Sequence, residues 1–127
     1  FETTNNQMNA LIIKGTENTP GINLDKKNGI FEISGRSLVD EASPIYKSVL
    51  DWITAYSAMP NPNTELALKF DYVNNTSSKF ILDIFSALAK IEGSRIVWYF
   101  HDDDEDMEEV GEELAELTDI PFEFKTY

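Results

Sequence analysis

The sequence predicts one mixed α/β domain with elements in the order βββαβαβαβ: an antiparallel hairpin near the start, parallel strands later, and about three helices. Three observations predict it. Two alternating apolar runs, Ile22 to Asp25 and Ile30 to Ser34, flank Asn28-Gly29, the strongest short-range hairpin signal. From Ser43 onward, helix-period and strand-period segments take turns, and short β–α–β units close right-handedly onto parallel neighbours. The chain has 127 residues with 42% hydrophobic and 12% aromatic content, which fits a single core.

In chain order, Phe1 to Gln7 is polar and aperiodic. Residues 1–7 are expected to be a disordered stretch or an added extension, with the domain running over residues 8–127. Ala10 to Ile13 reads as a short strand, and Gly15 to Gly21 as a loop. Ser43-Pro44 opens a helix, with a hydroxyl cap and Pro at the first helical position. Ile45, Val49, Trp52, Ile53 and Tyr56 give that helix one apolar face. Leu66, Leu68, Phe70 and Tyr72 alternate as a strand, Glu65 to Val73. Phe80, Ile81, Ile84, Phe85, Leu88 and Ile91 mark a second helix, Lys79 to Ile91, closed by Gly93. Ile96 to Phe100 is nearly all apolar, as in a strand covered on both faces. Met107, Val110, Leu114 and Leu117 line a third helix. Ile120 to Phe124 is an edge strand, because Pro121 cannot donate to a ladder.

Charge excludes several functions. The formal net charge is −13, whereas nucleic acid and anionic membrane surfaces reward Lys and Arg. No apolar run of membrane-spanning length and no basic, apolar leader is present, so membrane insertion is not expected and a cytoplasmic address is. The absence of cysteine removes disulfides, thiol chemistry and Cys-based metal sites. The acids are unevenly spread: residues 102 to 119 hold 11 of the 23 and no Lys or Arg. The remaining body is close to neutral.

If strands 30–34, 65–73 and 95–100 are parallel, their C-terminal ends share one edge, where ligands and partners bind in open α/β sheets. Just past those ends stand Gly35-Arg36-Ser37, then Asn74-Asn75-Thr76-Ser77-Ser78-Lys79, then His101-Asp102-Asp103-Asp104. Five consecutive residues in the middle group can cap a helix and three carry a hydroxyl, although one cap is enough. A helix start also presents free N–H groups and the positive dipole end, so it tolerates a phosphate. Each signal has a plainer reading: ordinary capping, a solvated arginine, and acids placed favourably at a helix N-terminus. The acidic run lacks the spaced ligands and turn glycine of an EF-hand. His101 has no companion for a triad or zinc site, and no glycine loop cradles phosphate.

Thr19-Pro20, Gly35-Arg36-Ser37, the Trp52 to Tyr56 helix, Tyr72 to Ser78 and the Asp102 to Met107 run together resemble the SiaC family of bacterial regulatory phosphoproteins, over essentially everything from Met8 onward. The strand–hydroxyl–helix arrangement is also similar to STAS-type anti-sigma-factor antagonists. The resemblance implies a STAS-like fold and a non-enzymatic partner-switching module without a cofactor or metal. It implies a dedicated protein kinase acting on the threonine of the Asn-Thr-Ser-Ser motif, here Thr76, and a PP2C-type phosphatase opposing it. The unmodified form is then expected to bind and activate a diguanylate cyclase, raising cyclic-di-GMP and favouring biofilm or aggregation.

On the shared edge, Arg36, Ser37, Asn74, Asn75, Thr76, Ser77, Ser78, Lys79, Asp102, Asp103 and Asp104 are the expected partner contacts. A phosphate brings about −1.5 to −2 charge. It adds to a negative rim and places a charge against a partner surface shaped for a neutral side chain. A hundredfold loss of affinity needs only about 2.7 kcal/mol. The competing expectation is a metal- or small-ligand-binding protein, or a hydrolase, using the acidic edge.

Overall fold

A computed structural model describes residues 8–41 and 43–127, so the expectation for residues 1–7 lies outside the described residues. The strands are β1 (Leu11–Ile13), β2 (Gly21–Asp25), β3 (Ile30–Ser37), β4 (Thr64–Val73), β5 (Ser94–Phe100) and β6 (Phe122–Thr126). The helices are α1 (Pro44–Tyr56), α2 (Asn75–Ala89) and α3 (Glu105–Glu116). One six-stranded sheet runs β1-β2-β3-β4-β5-β6. The first two pairings are antiparallel and the last three parallel, the mixed sheet that the sequence predicts.

The β2–β3 hairpin turns at Lys26 to Gly29. Gly29 takes a φ of 67° there, which glycine adopts without a Cβ penalty, and Asp25 carboxylate oxygens accept from the backbone and side chain of Asn28. Those hydrogen bonds hold the Asp25 carboxyl below its usual range.

From β3 to β6 the strands sit side by side in chain order. Right-handed crossovers between such neighbours place every helix on the same face. The contacts agree. Ile33, Leu68, Trp98 and Phe124 are opposite one another in register and share that face. Phe31 on it meets Trp52 and Tyr56 of α1, Phe122 meets Phe85 of α2, and the Trp98 indole donates to the Met107 carbonyl of α3 at 2.9 Å. Gly111 lets α3 lie directly on the Trp98 ring. The core is therefore one layer between sheet and helices, built on Leu24, Ile33, Tyr46, Leu66, Leu68, Ile84, Phe85 and Trp98.

The opposite face carries no helix, so β5 is not covered by helices on both sides. Val97 is nevertheless buried there, flanked in register by Ala67 and Glu123 and along its own strand by Arg95 and Tyr99. Arg95 pairs with Glu65 and Glu123, and Lys69 lies over the Tyr99 ring. Long side chains replace the second layer of helices.

Several element boundaries differ from the sequence reading: β6 runs Phe122–Thr126 rather than Ile120 to Phe124, and α2 ends at Ala89 rather than Ile91. Helix α2 starts at Asn75 rather than Lys79, so the hydroxyl cluster forms its first turn instead of preceding it. Strand β3 continues through Gly35 (φ 91°) to Ser37, so Arg36 and Ser37 belong to the strand. Leu117 caps the C-terminus of α3 and is 68% exposed, so it does not line the helix's buried face.

Candidate functional site

The C-terminal edge of the parallel strands is finished by the start of α2, and Asn74 organises it. Its backbone is extended (φ −86°, ψ 173°), as an N-cap requires. The side-chain oxygen accepts from the Ser77 N–H at 2.8 Å, and the side-chain nitrogen donates to the Val39 carbonyl at 3.0 Å. Its own N–H donates to the Ser37 carbonyl at 3.0 Å. Asparagine therefore does the capping, and the three hydroxyls of the first turn are released from it.

Successive residues on a helix point about 100° apart, so those hydroxyls part company. Ser77 turns inward and is 0% exposed. Its hydroxyl donates to the Ser37 carbonyl at 2.8 Å and accepts from the Ser37 hydroxyl at 2.6 Å. The Tyr46 hydroxyl lies 2.6 Å from the Ser37 hydroxyl oxygen. Since the Ser37 proton is committed to Ser77, Tyr46 is the donor in that pair. A buried chain thus runs from Tyr46 through Ser37 to Ser77 and ends on the Ser37 carbonyl, joining α1, β3 and α2. Burial pushes the Tyr46 phenol up to about 12, although the hydrogen bonds with Ser37 and Ser77 act in the opposite sense. Tyr46 also stacks on Phe80 of α2, ring centres 5.1 Å apart.

Thr76 is half-buried and its hydroxyl makes no hydrogen bond among the described residues. Ser78 is half-buried, while Asn75 and Lys79 are exposed. Lys79 follows Thr76 at the i+3 spacing that puts two side chains on one face.

The remaining predicted residues are only partly drawn together. Arg36 is exposed; its Nε–H donates to the Glu17 carbonyl at 3.0 Å and its guanidinium lies over the Tyr72 ring, 5.6 Å from the centroid. It braces the loop between β1 and β2 and touches none of the hydroxyl cluster. Asp102 and Asp103 are exposed in the turn after β5. Asp104 caps α3 by accepting from the Met107 N–H at 3.1 Å. Among the described residues, no group of three or more acidic or histidine side chains converges as a metal site would require. His101 stacks on Tyr127 at 4.4 Å and contacts its carbonyl oxygen.

Sequence reasoning missed Tyr46, Val39 and Tyr72. Tyr46 and Val39 join the cap through tertiary contacts that leave no local pattern. Tyr72 has a traceable cause: register passes from Gly35↔Phe70 to Arg36↔Tyr72, so Asp71 is a bulge residue without a partner. Asp71 and Tyr72 are both exposed, Tyr72 by 45%, and Val73 turns inward. Tyr72, Val73, Met107 and Val110 form the apolar floor of a groove of about 490 Å³ between this strand end and α3.

These features define a mixed α/β domain whose sheet edge ends in a capped, hydroxyl-bearing helix start. The chain belongs to the family described as SiaC family regulatory phosphoprotein, whose model matches residues 13–127. It is 30% identical over 124 residues to an uncharacterised protein of Pseudomonas aeruginosa (strain UCBPP-PA14), covering 94% of this chain and 98% of that protein. Its fold is similar to apo-SiaC from Pseudomonas aeruginosa, with a TM-score of 0.82, 28% identity, and coverage of 93% of this chain and 99% of that one. It matches equally a chain of the crystal structure of the diguanylate cyclase SiaD in complex with its activator SiaC, from the same organism. The TM-score there is 0.82 at 27% identity, over 92% and 99% of the two chains. Among the described residues no helix is long and apolar enough to cross a membrane.

Proposed function

We propose that this protein is a phosphorylation-controlled activator whose unmodified form binds a diguanylate cyclase, and that Thr76 is the residue modified. One observation supports the assignment: Ser77 is buried and doubly bonded, which removes it as a target, while Thr76 reaches solvent with no hydrogen bond among the described residues. Ser78 shares that exposure, and the threonine of the family's Asn-Thr-Ser-Ser motif decides between them. A kinase needs an accessible hydroxyl with no structural duty. The family membership and the SiaD–SiaC complex support the effector class. A dedicated kinase and a PP2C-type phosphatase set the state, in the cytoplasm.

The fold accepts the modification. Free N–H groups and the dipole of α2 favour a phosphate at its first turn, and Lys79 offers a cation one turn on. The cap survives, because Asn74 and not Thr76 supplies it. A partner surface fitted to a neutral threonine, by contrast, would have to bury an unpaired dianion, which is costly unless matched. The switch therefore operates on the interface without remodelling the domain.

The test uses the kinase, ATP and intact-mass spectrometry, followed by peptide mapping and capture of partners with Thr76→Ala and Thr76→Asp baits. One phosphate on Thr76, and an effector held by the alanine bait alone, are expected. A phosphate mapped to another residue, or equal capture by both baits, defeats the assignment.

A further inference from the structure

We propose that the groove between the end of β4 and α3 is a docking surface for a lysine- and arginine-rich segment of a protein partner, with large apolar side chains between its basic ones. The apolar floor described above is walled by carboxylates. Asp71 stands on the strand side, and Asp104, Asp106, Glu109 and Glu113 on the helix side. The bulge brings Asp71 to this wall, and helical spacing stacks Asp106, Glu109 and Glu113 along the other.

Those helix acids are set against one another. Like charges three and four residues apart repel, and Glu109–Glu113 is such a pair. Among the described residues, none of these helix acids has a cationic partner. Lys69 pairs with Glu32, and Arg95 with Glu65 and Glu123, all on strands, and residues 102 to 119 contain no Lys or Arg. The groove thus carries two unmet demands. The Tyr72 and Val110 part of its floor meets water, Val73 and Met107 being buried beneath. The carboxylates of the helix wall have no cation paired with them among the described residues, the nearby Arg36 being engaged over the Tyr72 ring and at the Glu17 carbonyl. A neutral apolar partner would meet the first while desolvating the carboxylates, and a purely basic one would leave the floor wet. Only a segment with both kinds of side chain answers both, and its positive charge would be steered in from a distance.

The inference rests on the reading of this protein as a partner-binding regulator, yet it does not depend on Thr76. A phosphate at Thr76 would not repel a basic segment, so the groove supplies attraction while the helix start decides fit.

The probe is a short fluorescein-labelled peptide with leucine at helical i, i+3, i+4 spacing and Lys and Arg elsewhere, titrated against the whole chain and read by anisotropy. A scrambled peptide of the same composition is the control. Glu109→Gln with Glu113→Gln is compared with Glu112→Gln with Glu116→Gln, which removes equal charge from the same helix outside the groove. The groove pair should weaken binding about tenfold or more and the distal pair less than about threefold, in line with close versus remote charges. Val110→Asn should weaken binding several-fold without changing charge, its fold checked by circular dichroism. Equal losses from the two pairs, equal binding of the scrambled peptide, or no binding at millimolar concentration would overturn the proposal. Thr76→Asp should bind the peptide as the parent does. If the Thr76 baits fail to discriminate while the peptide still selects the groove, the switch assignment falls and the docking surface stands.

Discussion

Ser77→Ala and Thr76→Ala remove adjacent hydroxyls from one helical turn, and their consequences should be opposite. The Ser77 hydroxyl is fully buried, bonded at 2.8 Å to the Ser37 carbonyl and at 2.6 Å from the Ser37 hydroxyl. Without it, the Ser37 carbonyl keeps the Asn74 N–H and remains satisfied. The Ser37 hydroxyl fares worse, because its proton loses its acceptor inside the core. One buried, unsatisfied donor costs about 1–3 kcal/mol, and the lost oxygen leaves too little space for water to compensate. A destabilisation of about 2 kcal/mol follows, equivalent to a drop in Tm of roughly 6–10 °C for a domain of this size. Thr76→Ala removes no hydrogen bond and exchanges a β-branched residue for the best helix former, so its cost should stay within about 0.5 kcal/mol. Urea unfolding followed by tryptophan fluorescence and far-UV circular dichroism measures both, with m unchanged. In the kinase assay the order should invert on the proposed assignment: Ser77→Ala should still take the phosphate and Thr76→Ala should not, while both capture the effector. Equal stability costs, or a Ser77→Ala cost below about 0.5 kcal/mol, would refute the division of roles.

Gly111→Ala should destabilise by about 3 kcal/mol, the upper end of overpacking, because the new Cβ would lie 2.5 Å from Trp98 Nε1, and the indole is held by its bond to the Met107 carbonyl; the shift of the urea midpoint reads it. Asn74→Ala removes both the cap and the bond to Val39 and should cost about 2 kcal/mol, while Asn74→Asp keeps the acceptor for Ser77 and should cost less, by the same measurement. The unfolded chain releases a tyrosine proton near pH 10 but native Tyr46 only at about 12, so the stability due to this group is complete below pH 10 and is lost as pH climbs toward 12. At about 1.4 kcal/mol per unit this amounts to about 2–3 kcal/mol, and Tyr46→Phe should flatten that part of the alkaline stability curve. Calorimetric titration with Mg²⁺, Mn²⁺ or Ca²⁺ should show no saturable heat at millimolar metal; a stoichiometric site would revive the reading of the acidic edge as a metal-dependent enzyme.

What the sequence could reveal depended on whether a feature repeats locally. Asn28-Gly29 marked its hairpin, and the apolar stripe from Ile45 to Tyr56 marked α1, because each is a pattern within a few residues. The first turn of α2 is wholly polar, so hydrophobic periodicity has nothing to register until Phe80. Gly35 and Arg36 break the alternation of β3, so the strand pattern stops at Ser34, although Gly35 holds a φ open to glycine and Ser37 continues the pairing. The β4 bulge is set by the partner strand, so in the sequence the row Leu66, Leu68, Phe70, Tyr72 reads as uninterrupted alternation. The edge itself was legible, since strand direction alone brings residues 36–37, 74–79 and 102–104 to one end of the sheet. Which of them touch was not, for the hydroxyls of Ser37, Tyr46 and Ser77 meet only through tertiary packing.

On the proposed assignment of Thr76, the arrangement of the edge would let a small domain carry a reversible charge without losing its shape. A dianion is hazardous wherever the residue that carries it also has structural work. Had a hydroxyl capped α2, modification would remove the bond that starts the helix, and the fold and the signal would change together. Here Asn74 holds the helix start, Ser77 ties it to β3 and α1, and Thr76, one step round the turn, is left with no internal partner. The stability of the domain and the readout of Thr76 are therefore nearly independent. That independence is what a switch read by another protein requires, because the effector can then respond to the modification alone.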